Sequence, residues 1–166
     1  MVITPIVNDG RINRSKTTLN KIVAATISLL RKNNNGQIPT AQEIAVKSGV
    51  GIRTVFRHID DMEGLIEEVN RRYLNDLESY IAKNNPKQNS KDQRIEHVIK
   101  ERFYLYNTYQ HVFNLTITSL NNSNAIRTGF IKFNHILRQR FEDLIPEIKM
   151  INKDKQNLID LSLIHI

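Results

Sequence analysis

A six-residue stretch carries four side chains of the kinds that bind polyanions. The four are Arg53, Thr54, Arg57 and His58. Guanidinium groups bind phosphates and guanine edges, and hydroxyl and imidazole groups bind phosphate oxygens. At helical spacing these four side chains form one stripe, and an apolar stripe lies opposite. The apolar stripe consists of Ile52, Val55, Phe56 and Ile59. The pattern predicts a short amphipathic helix that is held by one face and offers the other to a nucleic-acid groove about 12 Å wide.

A second short helix is expected immediately before this one. Thr40 precedes it as N-cap and Glu43 follows three residues later, which is the spacing of a capping box. Gly49 ends the helix, and only two residues separate it from Ile52. Two short helices joined by a tight glycine turn are typical of the helix-turn-helix of major-groove readers. The alternative is an ordinary pair of short helices in a helical bundle.

Positive charge is concentrated in the first part of the chain. Residues 1–60 hold nine lysines and arginines against three acids, whereas residues 61–166 hold 15 against 14. Such a field favours binding to a polyanion, although a solvated charged face is the alternative explanation. Residues 1–16 lack periodicity, and we interpret them as a mobile basic arm whose possible DNA contacts are Arg11, Arg14 and Lys16. An amphipathic helix from Leu19 to Leu30 follows.

The chain resembles the TetR family of bacterial transcription repressors. The resemblance is carried by an Ile22–Ala25 helix followed by a spaced set of signature residues. That set is Thr40, Glu43, Ile44, Ala45, Ser48, Gly49, Val50, Thr54, Val55, Phe56, His58, Ile59 and Leu65. The resemblance covers residues 17–66 and implies a helix-turn-helix domain at residues 17–62. It also implies a homodimer on a palindromic double-stranded operator, from which a small apolar or amphipathic ligand releases it.

The resemblance also implies roles for individual residues. Thr40 and Thr54 are expected on phosphates, and Ile52, Arg53 and Arg57 at or near base edges. His58 is expected against the DNA backbone. Phe56 occupies a DNA-contacting position but lacks the hydroxyl of the usual tyrosine, and helical periodicity alone would bury its ring. Gly51 replaces a side-chain cap and Met62 replaces a frequent lysine.

The rest of the chain predicts further helices and no strands, so we expect an all-α fold. Its N-terminal three-helix DNA-binding domain is followed by a helical ligand-binding and dimerisation domain at residues 63–160. A long helix is expected from Asp61, then helices at 95–106, 112–120 and 126–144. Residues that could line a ligand pocket are Tyr73, Phe103, Tyr104, Tyr106, Tyr109, Phe113, Phe130, Phe133 and Asn134, although aromatic residues at helical spacing are more often plain core. Asn114 and Thr116 are further candidates for polar anchors.

The end of the chain suggests an interrupted gene. Residues 161–166 match one translated frame of a common transposase mosaic-end sequencing adapter, so we interpret them as an adapter artefact. The regulatory domain would then be incomplete after residue 160 and would lack most of the dimer interface that the resemblance implies.

Other classes of protein are disfavoured. The five histidines show no His-x-x-x-His or His-Glu pair, and there is no phosphate-binding glycine loop or nucleophile elbow, so we expect no enzyme, metal or cofactor. No apolar run is long enough to span a membrane, and no secretory signal opens the chain, which favours the cytoplasm. The main alternative is a ligand-independent or architectural DNA-binding protein, which should have a filled helical core and little sequence preference.

Overall fold

The computed structural model of the chain describes residues 10–59, 61–86 and 90–150, with residues 10, 11, 149 and 150 described by backbone alone. Six α-helices follow in order: α1 (Gly10–Asn33), α2 (Ala41–Ser48), α3 (Ile52–His58), α4 (Met62–Lys83), α5 (Lys91–Ser119) and α6 (Asn124–Leu144). A short 3₁₀ helix (Pro146–Met150) comes after α6. The described ranges contain no strand, which confirms the all-α class for this part of the chain.

Helix α1 begins well before the predicted position. Its first residue is Gly10, so the described part of the expected arm is helical rather than irregular. No proline follows Gly10 in this helix, and the hydroxyls of Thr17 and Thr18 donate to carbonyls four residues back, which suits a helical segment. Arg14 and Lys16 are exposed on it. The backbone of Arg11 lies in the same first turn, whereas residues 1–9, 151–160 and 161–166 lie outside the described residues.

The first three helices share a small apolar centre. It contains Ile22 of α1, Ile44 of α2 and Val55 of α3, which have no exposed surface. The same buried cluster continues through Leu65 and Leu77 of α4 into α5 and α6, so one core crosses the expected domain boundary at residues 62–63. The apolar stripe of α4 therefore packs both against the first three helices and against α5 and α6.

Helix α5 covers two predicted helices. Its helical segments before and after Tyr109 meet at a kink, where that residue has non-helical angles (φ −110°, ψ 17°), so the chain departs from helical geometry in the interval left between the two predictions. The residues of that interval include neither glycine nor proline, and the chain continues as a helix immediately after the kink. Tyr109 is buried and packs edge-on against Tyr73 and Phe133, which fixes the kink.

Helix α6 is anchored on α4 at its first turn. The Glu63 carboxylate accepts the backbone N–H of Ala125 at 2.8 Å, and the Asn70 amide donates to the Ala125 carbonyl at 2.8 Å. Gly129 lies directly against Asn70, and a Cβ at that position would overlap the Asn70 amide. A buried ion pair between Glu101 and Arg140 (3.2 Å) ties α5 to the other half of α6.

None of the helices that the structure describes combines the length and the apolar character needed to cross a membrane.

Candidate nucleic-acid interface

The predicted capping box is present at the start of α2. The Thr40 backbone N–H donates to the Glu43 carboxylate at 2.8 Å, and the Glu43 N–H donates to the Thr40 hydroxyl at 3.3 Å. The pKa of Glu43 is lowered by the two bonds that its carboxylate accepts, first the bond from the Thr40 N–H and then the bond from the Thr40 hydroxyl. The Thr40 hydroxyl also donates to Glu43 at 2.8 Å, so its proton is already engaged. A phosphate contact by Thr40 would have to replace that bond.

Two glycines form the turn between α2 and α3. Gly49 has φ +67°, a left-handed backbone conformation that ends α2. Residues other than glycine rarely adopt this conformation. Gly51 is the N-cap of α3 and provides no side-chain hydrogen bond, as its lack of a side chain predicts. Three residues, Gly49, Val50 and Gly51, therefore separate the end of α2 from the start of α3, and the residue immediately before α3 has no side chain.

The apolar and polar faces of α3 differ from those predicted. Val55 and Ile59 are buried, with 0% and 4% of their surface exposed. Ile52 and Phe56 were expected on the same buried stripe, yet they are 38% and 60% exposed. They lie instead beside Arg53 and Arg57 on the outer face, whereas Thr54 and His58 are half-buried at its margins. The physical reason is that a helix of fewer than two turns buries only a narrow stripe, here centred on Val55.

The outer face of α3 thus combines two cations with two apolar side chains. Arg53 and Arg57 flank Ile52 and Phe56, and the sequence contains no aspartate or glutamate between residues 44 and 59. Lys47 is a further exposed cation, in the last turn of α2. It was counted among the basic residues of the sequence but was not predicted as a site residue. Arginine reads guanine edges and apolar side chains contact the thymine methyl group, so this face carries groups for both kinds of base pair.

The predicted ligand pocket is only partly assembled. A cavity of about 40 Å³ lies between α4, α5 and α6, and Tyr73, Phe113 and Phe130 line it as expected. Phe103 and Tyr106 do not: they are 71% and 37% exposed on the outer side of α5. Asn134 is also absent from the lining, and its amide donates to the Phe130 carbonyl at 2.9 Å. Residue type could not separate these positions, because aromatic residues occupy several faces of α5.

Two further polar anchors were expected and neither is free. Asn114 is turned toward the loop after α1, where its amide donates to the Asn34 carbonyl at 3.1 Å. Thr116 lines the cavity, but its hydroxyl donates to the Val112 carbonyl at 2.9 Å. Tyr109 and Phe133 line the cavity as expected, whereas Tyr104 is 49% exposed and does not. Sequence reasoning missed Val112, Leu115 and Ile126, which add apolar side chains to the lining.

A buried tyrosine–histidine pair lies next to the cavity. The Tyr73 hydroxyl and His111 Nε2 are 2.7 Å apart, and both side chains are at most 6% exposed. Burial lowers the pKa of His111 to about 4, and the positive charge of Arg31 acts in the same direction. Burial also raises the pKa of Tyr73. Both groups are therefore neutral at neutral pH.

The residues described hold no group of three or more histidine and carboxylate side chains that would suit a metal ion.

Comparison of the chain with protein-family models, with curated proteins and with solved structures finds no match.

Proposed function

We propose that this chain is a sequence-specific DNA-binding transcription regulator that places α3 in the major groove. The observation that carries the proposal is the outer face of α3, where Arg53 and Arg57 flank two exposed apolar side chains. A seven-residue helix is too short to be stable alone. Its attachment through Val55 and Ile59 supports a role in presenting the opposite face to a ligand.

The proposal includes the assembly that the TetR resemblance implies. Two copies of the chain, related by a two-fold axis, would bind the half-sites of a palindromic operator in the cytoplasm of a bacterium. Half-sites one helical turn apart are about 34 to 36 Å from centre to centre, so the dimer must set the distance between the two α3 helices. Repression would end when a small ligand binds between α4, α5 and α6.

Selection of duplexes from random DNA, followed by measurement of affinity for the selected site, tests the proposal. Arg53→Ala should relax the base preference at one position of each half-site and weaken binding by about 1 to 3 kcal/mol, as expected when a side chain no longer reaches a base edge. Arg72→Ala is the matched control, because it removes the same charge from an exposed position on α4. It should leave base preference unchanged.

Two results would count against this assignment. Equal weakening of selected and random DNA by Arg53→Ala would make Arg53 a phosphate contact without a role in sequence recognition. Failure of the unmodified chain to enrich any sequence, with no measurable duplex binding at low salt, would remove the proposed function altogether.

A second candidate function is a ligand-independent DNA-binding protein. It is favoured by the small size of the cavity, about 40 Å³, because ligand pockets usually measure roughly 300 to 1,000 Å³. The selection experiment separates the two candidates. A ligand-independent architectural factor should bind selected and random duplexes with similar affinity, whereas a regulator should discriminate between them.

A further inference from the structure

Most of the polar side chains in the walls of the cavity between α4, α5 and α6 are already hydrogen-bonded. Its polar side chains include Asn70, Tyr73 and Thr116. Asn70 donates to the Ala125 carbonyl, Tyr73 is bonded to His111, and Thr116 donates to the Val112 carbonyl. Among the residues described, the one buried side-chain oxygen or nitrogen without a hydrogen bond is Glu147 Oε2, which does not line this cavity.

The Tyr109 hydroxyl is the fourth polar group of the wall, and charges outside the cavity affect its pKa. Burial raises the pKa of Tyr109, and the charge of Asp76 raises it further. Asp76 and Arg31 line the open groove between α1 and α4 and are not part of the cavity lining. The Tyr109 ring, in contrast, contributes its edge to the aromatic wall, against Phe133.

The walls are also electrically neutral. No lysine, arginine, aspartate or glutamate lines the cavity. His111, which contacts Tyr73 behind the wall, is uncharged at neutral pH because its pKa lies near 4. An ion placed in the cavity would lose its hydration and find no counter-charge among the lining residues, and burial of a charge without a partner in contact is strongly unfavourable.

We propose that this cavity accepts a small, uncharged and apolar molecule, of hydrocarbon or simple aromatic character, and rejects ligands that carry a charge. The proposal rests on the proposed function, in which this cavity is the regulatory site. Of the two expected kinds of ligand, apolar and amphipathic, it selects the apolar kind. Dry apolar cavities of about 150 Å³ bind benzene or xenon. The present cavity is smaller, so a ring-sized ligand must displace the wall, and the kink of α5 at Tyr109 is the place where the helix already departs from regular geometry.

Three probes of the same size and different charge test this proposal on the whole chain, without DNA. Toluene should raise the melting temperature and shift the methyl resonances of Val112, Leu115 and Ile126. Benzoate and benzylammonium should bind about tenfold more weakly or worse, because each would bury an unpaired charge. Xenon, which needs the least displacement of the wall, should shift the same methyl resonances.

A pair of variants locates the binding. Val112→Phe fills the cavity and should abolish the toluene response, whereas Ile117→Phe enlarges a side chain of the same helix that is 81% exposed and should leave the response intact. The xenon experiment on the unmodified chain keeps the proposal testable if Val112→Phe does not fold. Persistence of toluene binding in a folded Val112→Phe chain would refute the location.

The outcomes are independent of DNA binding. The proposal is overturned if benzoate or benzylammonium binds as tightly as toluene. It is also overturned if neither toluene nor xenon gives a response. Both conclusions hold whether or not the chain binds an operator. A toluene response in a chain that binds no duplex supports the apolar site and rejects the proposed function.

Discussion

Phe56 shows most clearly how a single residue can depart from its expected environment. Its ring is 60% exposed on the outer face of α3, and no described aromatic pair includes it. An exposed phenylalanine between two arginines contributes little to folding, but it can bury its ring against a thymine methyl group.

We therefore predict that Phe56→Ala separates binding from stability. The free energy of unfolding should change by no more than about 0.5 kcal/mol, as for other surface substitutions. Affinity for the selected duplex should fall by about 1 to 2 kcal/mol, because apolar area is no longer removed from water on binding. Urea unfolding and fluorescence anisotropy titration measure the two quantities. A large loss of stability with unchanged affinity would show that the ring belongs to the core.

His111 predicts a pH dependence of stability. Its pKa is lowered to about 4 in the folded chain from an ordinary value of 6.5, so the unfolded chain binds more protons between these two pH values. Stability should consequently fall as the pH is lowered from 6.5 toward 4, by on the order of 3 kcal/mol at most. Urea unfolding at several pH values measures this.

The variant His111→Gln provides the control for that measurement. It cannot titrate, so its stability curve should be flatter than that of the unmodified chain between pH 4 and 6.5, whatever its stability at pH 7. Parallel curves for the two chains would mean that His111 is not buried in its neutral form.

Residue type alone predicted that Arg53 and Arg57 are exposed on α3 and that Val55 is buried. It did not predict the exposure of Ile52 and Phe56. Apolar character is compatible with both the core and a binding face, and in a helix of seven residues a modest rotation decides between them. The same ambiguity misplaced Phe103 and Tyr106 in the ligand pocket. The location of Asn114 was equally inaccessible from sequence, because its partner is 80 residues away.

At the scale of elements, the second half of α5 joins the cavity to the loop between α1 and α2. One side of it lines the cavity through Val112 and Thr116. The other side contacts the loop between α1 and α2: Asn114 donates to Asn34, and the Thr118 hydroxyl donates to the Gly36 carbonyl. Gly36 has φ +71°, and a Cβ there would lie 2.7 Å from the Asn114 carbonyl, so the two segments approach closely.

We predict that Asn114→Ala loosens this loop. Stability should fall by about 1 kcal/mol because hydrogen bonds to Asn34 can no longer form, and the backbone amides of residues 34–37 should exchange faster with solvent. Asn107→Ala is the matched control on the same helix, because the Asn107 amide donates to the Phe103 carbonyl of its own helix. Hydrogen exchange followed by mass spectrometry compares the two variants. Equal exchange in both would show that the Asn114 side chain does not hold the loop.

Local sequence signals predicted elements well where they were strong. The capping box at Thr40 and Glu43 and the glycine turn at Gly49 lie where their spacing indicated. The prediction for α1 was wrong in extent, because weak periodicity does not exclude a helix. In α5 the interval between the two predicted helices is reduced to a kink at Tyr109, which packs against Phe133 and which no local residue preference specifies.

At the scale of the whole molecule, the uneven charge should govern the approach to DNA. Arg14 and Lys16 lie exposed on the first turns of α1, within residues 1–60, which carry nearly all of the positive balance. We predict that the double variant Arg14→Gln/Lys16→Gln weakens binding to all duplexes alike. The logarithm of the binding constant should also depend less steeply on salt, by about 0.9 for each phosphate that is no longer neutralised.

A second double variant controls for net charge. Lys83→Gln/Lys132→Gln removes two exposed lysines from α4 and α6, and it should leave the salt dependence closer to that of the unmodified chain. Identical slopes for the two double variants would show that net charge alone matters and that the start of α1 does not touch DNA.

The distribution of tyrosines gives the molecule an optical property. The chain has no tryptophan and five tyrosines, namely Tyr73, Tyr80, Tyr104, Tyr106 and Tyr109. All five lie on α4 and α5, two of them in the wall of the cavity, and none lies on α1, α2 or α3. Intrinsic ultraviolet emission therefore originates from the half of the molecule remote from α3. If adding a duplex changes that emission, then binding at α3 has altered the environment of the tyrosines on α4 and α5. The change can be measured without any attached dye.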